Sequence, residues 1–157
     1  MQLHEELMAL FPELDFVYDP MMPKKQKGLL DDNIVYLNPN QTYLELPGTI
    51  GEELGHHLTT VGDITAQATR SDKRQERRAR DIGAILVVSP YDIIECYEHG
   101  CKTVEESAEY LQITVETLKT AIAYYSRKFN GIKTENNYTL LFQPNGTVAV
   151  LKSFNNF

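Results

Sequence analysis

Hydrophobic positions along the chain switch between helical and strand spacing. Leu3, Leu7, Met8, Leu10 and Phe11 recur every three or four residues and stop at Pro12, which predicts a helix over residues 3–11. Asp15-Phe16-Val17-Tyr18 reads as a short strand ended by Asp19-Pro20. After a Pro- and Lys-rich connection, Gly28-Leu29-Leu30 and Ile34-Val35-Tyr36-Leu37 bracket Asp31-Asp32-Asn33, the pattern of a hairpin. Asn38-Pro39-Asn40 closes it.

Helical spacing then returns. One helix is expected from about Thr49 to Thr60 and a second from about Ser71 to Val87. Ser89-Pro90 restarts a helix, because serine caps the first free N–H groups and proline tolerates the first helical position. Thr103-Val104-Glu105-Glu106 matches a capping box ahead of Ala108 and Leu111. Thr114 caps a further helix through Leu118, Ile122 and Tyr125 to about Phe129. Tyr138–Phe142 and Thr147–Leu151 flank Asn145-Gly146, a hairpin turn. The fold class is therefore α+β: an N-terminal hairpin or small sheet, a helical middle and a C-terminal hairpin. Three segments are expected: a core over 1–90, a helical, helix-turn-helix-like stretch over 91–130, and the hairpin over 131–157, packed with the rest.

Composition narrows the function classes. The chain has 157 residues, 42% of them hydrophobic and 24% charged, with ordinary Gly and Pro, which excludes a disordered or collagen-like chain. Its net charge of −7 disfavours a nucleic-acid coat, which needs a basic surface. No stretch has the roughly 18 consecutive apolar residues of a membrane span, so no membrane partner is expected. The acidic start, Met1-Gln2-Leu3-His4-Glu5-Glu6, lacks the pattern of an export signal. With Cys96 and Cys101 its only cysteines, the chain is expected in the cytoplasm with two free thiols.

The charge is unevenly spread. Residues 1–69 carry 11 acidic groups against 3 lysines, whereas residues 70–90 carry six basic groups against three acids. The basic run Arg70, Lys73, Arg74, Arg77, Arg78 and Arg80 reads as a solvated helix face. Residues 103–129 have tolerable helix-turn-helix spacing. However, Glu116 at the start of the would-be recognition helix opposes phosphate binding, so a structural helix pair or a protein contact is expected instead.

Chemistry concentrates in Gly51-Glu52-Glu53-Leu54-Gly55-His56-His57-Leu58. On a helix, Ile50, Leu54, Leu58 and Val61 form one apolar stripe, while Glu52 and His56 stand one turn apart on the opposite face. Such a pair can offer two ligands to one metal ion and leave the adjacent Glu53 free as a base. Two plainer readings compete. Glu52 closes a capping box in Thr49-Ile50-Gly51-Glu52, and a Glu–His pair four apart is also an ordinary surface ion pair. His57 reads as a packed residue, and His4 and His99 as surface residues. Downstream, Glu76 projects from a helix side that also carries Ala79 and Gly83. Small residues there would let two helices approach until Glu76 reaches His56; the alternative is a solvated helix in which Glu76 pairs with Lys73 and Arg80.

Together these residues resemble the ImmA/IrrE-type metallopeptidases of bacteria and their phages. The resemblance runs through Asn33-Ile34-Val35-Tyr36-Leu37-Asn38-Pro39, the helix from Glu52 to His57 and Glu76-x-x-Ala79, and extends more loosely into the capped helices after Pro90. The family motif is His-Glu-x-x-His followed by Glu-x-x-Ala and then an acidic or amide residue. Here Glu52 stands at the first histidine and Arg80 at the Asp/Asn position, and the Glu-Glu-Leu-Gly-His variant is similar to that of phage-encoded members.

The resemblance implies a zincin-like, gluzincin-like core in which the site helix faces a second ligand helix. It implies Glu53 as general base, and His56, Glu76 and Glu52 as metal ligands. The cofactor would be zinc, or manganese or another divalent ion, since two carboxylates weaken the Lewis acidity of the ion and favour a harder one. The implied function is an endopeptidase that cleaves a helix-turn-helix repressor to control a phage or mobile-element genetic switch. The alternative is a catalytically impaired, non-enzymatic antagonist that binds the repressor.

Overall fold

The computed structural model describes residues 2–60, 69–134 and 136–153, with side chains described except at 60 and 69–72. It divides into two compact units, Met1–Val87 and Val88–Phe157. The architecture is mixed α+β, with six helices and two three-stranded sheets among the described residues. No helix there is long and apolar enough to cross a membrane.

In the first unit, α1 spans Leu3–Ala9 and ends two residues earlier than its spacing suggests. Strands β1 (Asp15–Tyr18), β2 (Gly28–Asp31) and β3 (Ile34–Leu37) form a sheet in the order β1-β3-β2. The central strand β3 pairs in parallel with β1, Asp15 opposite Ile34, and antiparallel with β2, Gly28 opposite Leu37. The expected hairpin is present, with Asp32 at its turn in the left-handed region (φ 55°) that Asp tolerates. Central placement explains why Val35 and Leu37 are fully buried while β1 and β2 remain largely open.

Helix α2 spans Leu46–Thr60, beginning three residues before the expected start. The reason is a capping arrangement upstream: Thr42 Oγ1 accepts from the Glu45 N–H at 3.2 Å, and a Glu45 carboxylate oxygen accepts from the Thr42 N–H at 3.2 Å. Pro47 then occupies the first turn, where its missing N–H costs nothing. Ile50 and Leu54 are fully buried as the apolar stripe requires, each contributing about 1.5–3 kcal/mol by burial. Leu58, assigned to the same stripe, is instead 45% exposed, and Val61 lies outside the described residues. Helix α3 spans Thr69–Val87, with Lys73, Arg74, Arg77, Arg78 and Arg80 exposed as a solvated face requires. The side chain of Arg70 lies outside the described residues.

The second unit contains α4 (Pro90–His99), α5 (Val104–Leu111) and α6 (Val115–Lys128). Ser89, Thr103 and Thr114 cap them, each side chain accepting the N–H three residues on. Strands β5 (Tyr138–Phe142) and β6 (Val148–Lys152) form the expected hairpin with Gly146 at φ 83°. A third strand, β4 (Gly131–Lys133), pairs with β5 and makes the hairpin a sheet. Three residues are too short to show a strand period in the sequence. Tyr125 is buried, and its hydroxyl donates to the Val88 carbonyl at 2.6 Å.

Candidate metal centre

Helices α2 and α3 pack through glycine. A Cβ on Gly83 would stand 2.5 Å from the Gly51 carbonyl oxygen, and one on Gly51 2.7 Å from the Gly83 oxygen. A Cβ on Gly55 would overlap the Ala79 carbonyl oxygen. Ala79 itself is fully buried. Only hydrogen at these positions lets the two backbones meet, so the small-residue face expected beside Glu76 is the contact surface.

That approach brings the acidic and imidazole groups together. His56 Nε2 lies 3.5 Å from Glu76 Oε2, with 20% and 57% of the two side chains exposed. One ligand atom each from Glu52, His56 and Glu76 lie within 4.8 Å of one another. Around an ion with bonds of about 2.0–2.2 Å, tetrahedral ligand atoms stand roughly 3.4 Å apart, so the His56–Glu76 separation matches one edge of such a site. This Glu-His-Glu group could bind a metal ion. The helix start at Leu46 places Thr49 inside the helix, where its hydroxyl donates to Gln41 Oε1 at 2.6 Å. The capping alternative for Glu52 therefore falls away.

Glu53, close enough to His56, Glu52 and Glu76 to feel their charges, turns its carboxylate toward β2. It is partly buried, accepts a hydrogen bond from the Leu30 N–H, and lies against Gly28, whose Cβ would come within 3.2 Å of the carboxylate. Burial pushes its pKa up to about 6. The nearby His56 pulls it down, and the charges of Glu52 and Glu76 raise it further. The two carboxylates of this Glu-Glu pair thus take opposite environments: Glu52 joins the ligand cluster and Glu53 packs under β2.

The chain holds β2 in place over α2 through a polar relay that sequence reasoning did not single out. Asn38, only 3% exposed, donates from Nδ2 to the Pro23 and Gln26 carbonyls, and its N–H donates to the Lys27 carbonyl. Gln41 donates to the Lys27 and Asn38 carbonyls while accepting from Thr49 on α2. The signal available was Asn38-Pro39-Asn40 itself, which reads as a turn and gives no hint of burial.

The remaining histidines sort plainly. His57 packs edge-on against Phe11 and pairs with Glu13 at 3.3 Å. His99 is exposed and stacks on Tyr110. His4 departs from the surface expectation: it is half-buried, edge-on to Tyr43. Arg80, where the resemblance expects Asp or Asn, is exposed on α3.

No family profile matches the chain, and no curated protein does. A solved structure of a Mycobacterium tuberculosis transcriptional regulator shares its fold with a TM-score of 0.59 at 12% identity, covering 77% of this chain. The match takes in 40% of that chain, so this protein spans less than half the regulator's length. At this identity the likeness concerns the fold alone.

Proposed function

We propose that the chain is a metal-dependent endopeptidase of the ImmA/IrrE type, with a zincin-like core, whose substrate is a helix-turn-helix repressor of a phage or mobile-element switch. The observation that carries this reading is the convergence of Glu52, His56 and Glu76 within 4.8 Å, with Glu53 alongside. Those three residues would hold a divalent ion, zinc or the harder manganese that two carboxylates favour. When bound, the ion supplies Lewis acidity toward a peptide carbonyl and toward water.

The chain's own residues supply the rest. Glu53, partly buried beside the cluster, would accept a proton from water and return it to a leaving amine. Strand β2 would align the substrate. The Asn38 N–H bonds to the Lys27 carbonyl, so alternation along the ladder turns the peptide groups of Gly28 and Leu30 away from β3. The Leu30 N–H goes to Glu53. Gly28 and the Leu30 carbonyl remain at an edge where an extended peptide can add as a further strand beside the base.

The donor set supports a second reading, since two carboxylates and one imidazole make a weaker Lewis acid than the family's usual set. On that reading the chain binds the repressor without cutting it. Incubation of the purified chain with a candidate helix-turn-helix repressor, with zinc or manganese, separates the two. Cleavage at one bond, abolished by chelator and by Glu53→Gln, is expected. Stable binding without cleavage under either metal would favour the antagonist, and neither binding nor cleavage would remove the repressor as partner.

A further inference from the structure

The second unit carries a pair of thiols that the metal centre does not use. Helix α4 ends with Gly100 in the left-handed conformation (φ 90°). The Cys101 N–H donates back to the Cys96 carbonyl at 3.0 Å and the Gly100 N–H to the Tyr97 carbonyl at 3.0 Å. This doubled return is a Schellman closure, which commonly brings the side chains at these two positions together, and the Cys96 and Cys101 thiols here lie within hydrogen-bonding reach of each other. In most helices that contact joins two apolar side chains; here both are thiols.

Their sulfurs are aimed at the same place. Cys96 Sγ donates to the Ser107 carbonyl and Cys101 Sγ to the adjacent Glu106 carbonyl, each at 3.8 Å, so both face successive peptide groups of α5. Cys96 is buried and Cys101 half-buried. Both line a cavity of about 370 Å³ whose walls include Ile93, Val104, Leu118 and Val148. The cavity gives a small neutral oxidant a route to the pair. Burial holds the Cys96 thiol up at about 11, and the neighbouring Cys101 thiol adds to the shift. This leaves Cys101, the more accessible of the two, to react first.

We propose that Cys96 and Cys101 form an oxidant-responsive dithiol that hydroperoxides convert to a reversible intramolecular disulfide. In the first step the Cys101 thiolate attacks the terminal peroxide oxygen, breaking the O–O bond; an S–O bond forms and, with one proton, water or an alcohol leaves. In the second, the Cys96 sulfur attacks the Cys101 sulfenic acid, the S–O bond breaks, and the Cys96 proton departs with the hydroxyl as water. The pair loses two protons and two electrons, and the peroxide takes up both. Oxidation also withdraws both S–H donors from α5, so the contact between the α4 terminus and α5 changes with redox state.

The test uses the full chain, reduced, treated with hydrogen peroxide, alkylated under denaturing conditions and digested with trypsin. Both cysteines fall in the peptide between Arg80 and Lys102. That peptide is expected to lose two hydrogens and resist alkylation, with dithiothreitol restoring two alkylation sites. In Cys96→Ser, oxidation should stop at a Cys101 sulfenic acid trapped by dimedone, at several-fold the level in wild type. Full alkylation of both cysteines after peroxide, or progress to sulfinic acid at Cys101 with no disulfide, would overturn the proposal.

Discussion

Gly55 and Ala79 meet backbone to backbone, so closely that any side chain on Gly55 would overlap the Ala79 carbonyl oxygen. Ala79 is one helical turn from Glu76, and Gly55 is next to His56. The contact therefore sets the distance at which the Glu76 carboxylate and the His56 imidazole meet, 3.5 Å. Replacing Gly55 with alanine should push α3 away from α2, since neither backbone can yield as a flexible side chain does. Overpacking of this kind costs about 1–3 kcal/mol. We expect Gly55→Ala to lower the melting temperature and to weaken divalent-metal binding together, as followed by thermal unfolding and metal titration.

A different prediction concerns pH. Glu53 has its pKa raised from 4.5 to about 6 by burial, so between those values the folded chain holds more protons than the unfolded one. Stability of the metal-stripped protein should then fall as pH rises through this window, by about 1–2 kcal/mol. Glu53→Gln removes the titrating group. Urea unfolding of the two forms from about pH 4 to pH 7 checks this: the wild-type curve should slope downward relative to a flatter mutant, which is the more stable at neutral pH.

Gly28 governs the room available to that carboxylate. Its Cβ would stand 2.8 Å from Thr49 Cγ2 and 3.2 Å from Glu53 Oε1. Valine there should displace Glu53 while leaving the ligand cluster intact. Cleavage of the proposed repressor substrate is expected to slow by about tenfold to a hundredfold in kcat, the scale of a misplaced catalytic group. Metal content, measured on the same preparation, should not change.

Glu52 makes the candidate donor set richer in hard oxygen than in imidazole. Glu52→His replaces a hard oxygen donor by an imidazole and should tighten zinc relative to manganese by about tenfold. Glu52→Ala should loosen both. A competition titration with the two metals reads the ratio.

Much of this was legible from residue order alone. Helical spacing found Ile50 and Leu54, and the small residues Ala79 and Gly83 marked the side of α3 that α2 covers, because patterning and size act locally. The start of α2 is ambiguous in the sequence because two Thr-x-x-Glu boxes compete, Thr42–Glu45 and Thr49–Glu52. Only the first caps, and Gln41 takes the Thr49 hydroxyl instead. The placement of Glu53 under β2 and the Asn38 relay depend on contacts between segments far apart in the chain, which no local pattern encodes. Strand β4 leaves no signal in the sequence because three residues are too short to carry a period.

The central claim is that Glu52, His56 and Glu76 together hold one divalent ion. Its most direct measurement is the metal stoichiometry of the purified chain by elemental analysis after equilibrium dialysis against zinc or manganese, beside His56→Ala and Glu76→Gln. The account predicts one equivalent in the wild-type protein and loss of it in both variants. No bound metal in the wild type, or the same content in all three, would contradict it.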